Sequence, residues 1–347
     1  MEIDSRSINA LVRLTTLGVV AIRLLVVYTI LNVDFTKPYQ LDKYKQIKPY
    51  QSMKENKVSI VITAYNVVEY LEKAVMSAVQ QGVKEVIIVE DKSTDSTAKL
   101  ADDLYSKLSD IVKVIHNEKN IGAGLSRRKG IEEATGEYVL LLDGDDYIDE
   151  GYVAALLQRA EETGADIVSS GIKIIQEDGT WKAESYGNAT TVGNEKISRY
   201  WGERIVFMNN KLIRRSLYEK VPYNHRRYIE DTPTIIPILW YANKCEYVDM
   251  LGYNYVMRQS SLTHTTNQLK DVVFKGLCWL DLMDFFNAND KGVFEHIPIK
   301  GYLKNIFSVL NTIKIQPEDI EPFKEEWCEF MMRLVNGVVV QQVNFKG

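Results

Sequence analysis

The amino-acid sequence predicts an α/β fold, a doubly wound and mostly parallel sheet flanked by helices, with a helical region after it. Three observations carry this. Short apolar runs recur at Val58–Ala64, Val86–Val89, Ile111–Ile115 and Tyr138–Leu142. Segments of helical period lie between them, and Gly, Asp and Asn gather at the joins. Apolar runs of that length bounded by turn residues are buried strands, and strands alternating with helices make parallel βαβ units.

The elements follow in order. Residues 1–36 include an 18-residue apolar stretch, Leu14 to Leu31, broken only by Arg23. That is the lower limit for a membrane-spanning helix. Glu2 and Asp4 near its start, with no Ala-x-Ala site after it, argue against a cleaved signal peptide. A linker over 37–57 carries six lysines against Asp42 and Glu55, which suits the cytoplasmic side of a membrane. An anchor at the cytoplasmic face is the resulting expectation, with a buried or oligomer-forming helix as the alternative. The α/β domain is then 58–265. After its first strand, Val68–Gln81 places Leu71, Val75, Ala78 and Val79 on one helical face, with Gly82 as the stop. Ser93 or Thr94 is expected to cap the next helix, which carries Ala98, Leu100, Ala101, Leu104 and Leu108. A helix over Leu125–Ala134 ends at Gly136, ahead of the fourth strand. Asp178-Gly179 between Asp166–Ile175 and Trp181–Glu184 signals a hairpin. Asp231, Thr232 and Pro233 resemble the start of a helix over Thr234–Tyr241. Residues 266–347 carry helical periodicity, and such a bundle can pack on the domain, pair two copies or touch a membrane.

Composition is that of a globular protein, 46% hydrophobic and 26% charged, and a net charge of −5 gives no footprint for nucleic acid. Cys245, Cys278 and Cys328 lie far apart and read as buried, reduced thiols. There is no Walker A motif, and Gly122-Ala-Gly124 fails the dinucleotide fingerprint because Arg127 stands at the third glycine position.

The chemistry gathers at strand ends. Asp143-Gly144-Asp145-Asp146 follows the fourth strand, Thr63-Ala64-Tyr65-Asn66 closes the first and Glu90-Asp91 closes the second. Ligands of open α/β sheets bind beyond those ends. Three crowded carboxylates repel one another unless a cation intervenes, and oxygen donors suit Mg²⁺ or Mn²⁺. A calcium loop of the EF-hand type is excluded, since Ile148 and Ala154 occupy the positions of its Gly and Glu.

Four segments in this order and spacing resemble family 2 glycosyltransferases of the GT-A fold: Val58-Ser-Ile-Val-Ile-Thr-Ala-Tyr-Asn66, Ile87-Ile-Val-Glu-Asp-Lys-Ser-Thr-Asp-Ser-Thr97, Asn120-Ile-Gly-Ala-Gly-Leu-Ser-Arg-Arg128 and Gly136-Glu-Tyr-Val-Leu-Leu-Leu-Asp-Gly-Asp-Asp146. The likeness continues through Asn210-Lys211-Leu212 and Glu230-Asp231 to His264. It departs at Ala64, often Pro, and at Lys129, often Asn. The resemblance implies a nucleotide-sugar donor, a UDP-sugar above all, bound by Thr63, Tyr65, Asn66, Asp91, Asn120, Arg128, Asp143, Gly144 and Asp145. Tyr65 would flank the base, Asp91 would accept from the uracil imide, and Arg128 would meet the diphosphate. Asp145, with Asp143 and His264, would hold Mn²⁺ or Mg²⁺. Asp231 would be the general base for an acceptor hydroxyl, oriented by Glu230, giving inversion at the anomeric carbon. Trp181, Tyr186, Tyr200, Trp201 and Tyr223 are candidate surfaces for stacking a glycan or lipid-linked acceptor. With no Gln-x-x-Arg-Trp in the chain, a non-processive enzyme of cell-surface polysaccharide synthesis is expected. A sugar nucleotidyltransferase and a non-catalytic glycan-binding scaffold are the alternatives.

Overall fold

A computed structural model describes residues 57–184, 191–192, 207–222, 226, 229–258, 268–289 and 317–333. The apolar stretch 14–31, most of the Lys-rich linker, Tyr186, Tyr200, Trp201, Tyr223 and His264 lie outside them. Among the described residues no helix is long and apolar enough to cross a membrane.

The apolar runs become four strands, three of them buried on both sides and the third in chain order partly exposed at the sheet edge. They are β1 (Val58–Ala64), β2 (Glu85–Glu90), β3 (Val112–His116) and β4 (Tyr138–Asp143), with β1 pairing in parallel to β2 and β4, and β2 to β3. Side chains alternate across a strand. Val61, Ile87, Val89, Val139 and Leu141 therefore enter one core, and Ile60, Ile62, Val86, Ile88, Leu140 and Leu142 the other. With both faces buried, β1, β2 and β4 are mostly apolar at successive positions, so they read as near-continuous hydrophobic runs.

Helices α1 (Leu71–Val79), α2 (Thr97–Leu108) and α3 (Ala123–Glu133) are the crossovers. The cap expected from Ser93 or Thr94 is corrected: α2 begins at Thr97, and those two residues instead bind the loop after β1. Helix α3 approaches the sheet closely at Gly130, where an added Cβ would lie 2.3 Å from Val61 Cγ1 and 3.0 Å from Val89 Cγ2.

Beyond β4 the sheet turns mixed. Short β5 (Tyr147–Ile148) and α4 (Tyr152–Thr163) lead to β6 (Ile167–Ile175), which forms the expected hairpin with β7 (Trp181–Glu184). β8 (Thr191–Val192) and β10 (Lys244–Val256) pair antiparallel. β9 (Lys211–Arg214) inserts antiparallel between β4 and β6, giving the order β3-β2-β1-β4-β9-β6-β10-β5.

Helix α5 (Thr232–Tyr241) and α6 (Gln268–Asn289) follow, then α7 (Pro317–Ile320) and a helical segment over residues 324–333. Ile235, Ile236, Phe274, Leu277, Phe286 and Phe330 share one core cluster with the Val61 face of the sheet. The C-terminal helices and the sheet are thus one packed body, and residues 50–347 form a single compact unit. Cys245 and Cys278 are buried, whereas Cys328, expected to be buried, is exposed.

Candidate active site

The C-terminal ends of β1, β2 and β4 converge with the start of α5, and Arg127 sits at their centre. Its guanidinium is buried and donates from Nη2 to Asp143 Oδ1 at 2.9 Å, and from Nη1 to Asp231 Oδ1 at 2.6 Å and Glu230 Oε1 at 3.0 Å. One cation thus joins the acidic turn after β4 to the carboxylate pair at the start of α5. Arg128, expected to contact the diphosphate, lies on an exposed face of α3 and pairs with Glu132 at 2.6 Å. The reason is helical geometry. Arg127, Gly130 and Ile131 stand three and four apart on the face packed to the sheet, and Arg128 is turned about 100° away. That spacing was the sequence signal for Arg127.

The turn Asp143–Asp146 divides its labour. Asp143 also accepts from Asn209 Nδ2 at 2.7 Å and from Thr63 Oγ1 at 3.3 Å. Gly144 donates to the Thr63 carbonyl at 2.9 Å, and a Cβ there would stand 2.8 Å from that oxygen. Asp145 pairs with Arg258 Nε at 2.6 Å, while burial and the nearby Asp143 push its carboxyl up. Asp146 faces inward, held by Tyr253 Oη at 2.7 Å and the Val256 amide at 2.8 Å. It fixes β10 against the turn.

Asp91 is buried and accepts three N–H groups, from Asn117 Nδ2 at 2.9 Å and from the Ile121 and Gly122 amides at 2.8 Å. It therefore shapes the loop entering α3. Asn117, which the motifs did not single out, is buried in that network, while Asn120 stands half-buried on the same loop. Asn66 has a left-handed backbone, φ +53°, and its side chain accepts from Thr94 N at 2.8 Å, so it holds the loop together. Tyr65 beside it is 43% exposed, open for a flat ring to stack on.

Glu230 and Asp231 begin α5. Asp231 occupies the cap position, yet its side chain caps nothing; its carbonyl accepts the Thr234 and Ile235 amides instead. Its carboxylate faces Arg127 and the Met208 amide, the latter at 3.2 Å. Burial and the adjacent Asp231 push Glu230 up to about 7, against the pull of Arg127. The segment before β9 props both clusters. Met208 holds Asp231, Asn209 holds Asp143, and buried Lys211 pins the Phe207 carbonyl from below at 2.7 Å. Burial lowers Lys211 to about 7.

Among the described residues no three acidic, histidine or cysteine side chains converge as a ready cation site. The donor chemistry of the rim nonetheless fits a hard divalent ion. Asp143, Asp145, Asp146, Glu230 and Asp231 crowd together, and among the described residues Arg127 and Arg258 form ion pairs with them while the buried Lys211 acts on Asp231. Asp145, pushed up by burial and by the neighbouring Asp143, is the oxygen donor such an ion would relieve.

A parallel βαβ sheet continued by an antiparallel insertion, with acidic turns converging on its C-terminal rim, is the architecture of GT-A transferases. Residues 59–222 match the family model described as glycosyl transferase family 2. Among curated relatives, the glycosyltransferase GlyG of Streptococcus pneumoniae is 28% identical over 62% of this chain and 77% of its own length. The GalNAc(5)-diNAcBac-PP-undecaprenol beta-1,3-glucosyltransferase of Campylobacter jejuni is 27% identical over 60% of this chain and 67% of its own. Three further relatives are longer, the match spanning 63%, 62% and 62% of them. The solved structure of S. aureus TarS 1-349 in complex with UDP-GlcNAc shares the fold with a TM-score of 0.58 at 21% identity, covering 80% of this chain and 81% of that one.

Proposed function

We propose that this glycosyltransferase moves a sugar from a UDP-sugar to a hydroxyl of a glycan or lipid-linked acceptor, by a single inverting displacement, in bacterial surface-polysaccharide synthesis at the cytoplasmic face of the membrane. The observation that carries the reading is the Arg127 bridge, which sets a donor-side carboxylate, Asp143, and an acceptor-side carboxylate, Asp231, on one guanidinium. The UDP-GlcNAc bound to the TarS relative and the beta-linked product in the name of the C. jejuni relative support donor and stereochemistry.

On this reading Tyr65 stacks on the base, and the loop ordered by Asp91 and Asn66 shapes its pocket. Asp145, with Asp143 and His264, would hold Mn²⁺ or Mg²⁺, which when bound neutralises the leaving diphosphate. Asp231 takes the proton from the acceptor hydroxyl as its oxygen attacks the anomeric carbon. Arg127 keeps that carboxylate oriented, and Glu230 keeps the local field negative enough for the proton to be accepted.

Calorimetric titration with UDP, with and without Mn²⁺, and turnover over a panel of nucleotide sugars test this together. Asp145→Asn should weaken UDP binding only when Mn²⁺ is present. Asp231→Asn should leave UDP binding intact while transfer falls roughly 10²–10⁴-fold, the range for loss of a general base. Equal UDP affinity in wild type and Asp145→Asn under both conditions refutes the metal role. Near wild-type transfer by Asp231→Asn refutes the base.

A further inference from the structure

The stretch from Arg226 to Asp231 is gripped at both ends by buried charge. Arg226 is 5% exposed. It donates from Nε and Nη2 to the two oxygens of Asp281 at 2.6 and 2.9 Å, and from Nη1 and Nη2 to the two oxygens of Glu329 at 3.0 and 2.8 Å. Asp281 lies on α6 and Glu329 on the segment 324–333, and Arg333 ties the same two carboxylates to each other at 2.6 and 3.2 Å. At the far end Arg127 holds Glu230 and Asp231.

Between the two grips Ile229 has φ +57°, and it packs against the core cluster that the C-terminal helices share with the sheet. A positive φ is a genuine outlier for a β-branched residue, because its Cβ crowds the backbone. Such a conformation persists only where its surroundings over-determine it. Here Arg127 holds the C-terminal side, while the Ile229 side chain packs on the core cluster that the C-terminal helices share and Arg226 is held by those same helices.

We propose that the C-terminal helices are a positioning element for the Glu230–Asp231 pair, with Arg226 as the positioning residue that transmits their placement. The inference rests on reading that pair as the proton-accepting site. Arg226 is a doubly bidentate fork. Its charge is fully met only when α6 and the 324–333 segment are both seated, so the carboxylate pair reaches its place only in the fully packed molecule. Arg226, buried between Asp281 and Glu329, acts through that placement.

The test uses the full chain and reads hydrogen exchange, UDP titration and transfer kinetics on Arg226→Met and on the milder Glu329→Gln, which keeps the Asp281 grip. The Thr234 and Ile235 amides, both bonded to the Asp231 carbonyl, should exchange roughly tenfold faster, while amides of β1 and β4 stay protected. UDP affinity and donor KM should hold, and kcat should fall on the order of 10²-fold, as a misplaced catalytic group predicts. Unchanged exchange at Thr234 and Ile235 in both variants overturns the proposal. So does a loss spread evenly over kcat and UDP affinity, or global unfolding of both variants. If wild type turns over no nucleotide sugar, the functional reading fails, and the exchange result still decides whether Arg226 positions the pair.

Discussion

At the scale of single residues, Glu230 has the sharpest consequence. Its carboxyl, raised to about 7 by burial and by Asp231, binds a proton in the folded chain that an unfolded chain releases near 4.3. The stability tied to that proton is present below the unfolded pKa and lost as pH rises through about 7. Glu230→Gln should therefore match wild type in thermal melts near pH 4 and exceed it by about 1–3 kcal/mol at pH 8. Activity runs the other way. If the pair must be ionised, transfer rises with pH through about 7 in wild type, and that limb moves to lower pH in Glu230→Gln. A melting difference that does not grow with pH would show that burial leaves Glu230 unaffected.

At the scale of elements, α5 shows how a cap position is diverted. An Asp before Thr-Pro ordinarily caps through its side chain, but Asp231 turns its carboxylate to Arg127 and leaves the cap to its carbonyl. Asp231→Asn should consequently change thermal stability through the carboxylate's contacts with Arg127 and the Met208 amide, while helix content by circular dichroism stays level. What the sequence revealed of these elements follows from burial. β1, β2 and β4 are covered on both faces, so their apolar runs stand out without an alignment, and Gly179, with φ +81°, marks the β6–β7 hairpin. β9 was not legible as an insertion, because Lys211-Leu-Ile-Arg214 is four residues long and its neighbours β4 and β6 are distant in sequence. The choice between Arg127 and Arg128 was legible in principle, since helical spacing from Gly130 and Ile131 separates them. The roles of Asn117 and Asn209 were not, because hydrogen bonds across 26 or 66 residues leave no local pattern.

At the scale of the whole molecule, the sheet and the C-terminal helices share one core, so the sheet's acidic rim and the helical region are expected to melt together in a single cooperative transition. The apolar stretch 14–31 is outside the described residues, and its role is open to a direct measurement. Removing residues 1–36 should release the protein from sedimented membranes and leave that transition where it was. Full-length chain that stays in the supernatant without detergent would refute the anchor.

Gly130 carries a last consequence, one of clearance. Helix α3 rests on the sheet with only a hydrogen where other residues carry carbon, and a methyl there would meet Val61 at 2.3 Å. Arg127 rides one turn earlier on the same helix, so the gap beneath position 130 sets how high the guanidinium stands above the rim. Gly130→Ala should lift that end of α3 and slow transfer more than its cost in melting temperature would suggest. A methyl group that never meets substrate would then act as a shim under the active site.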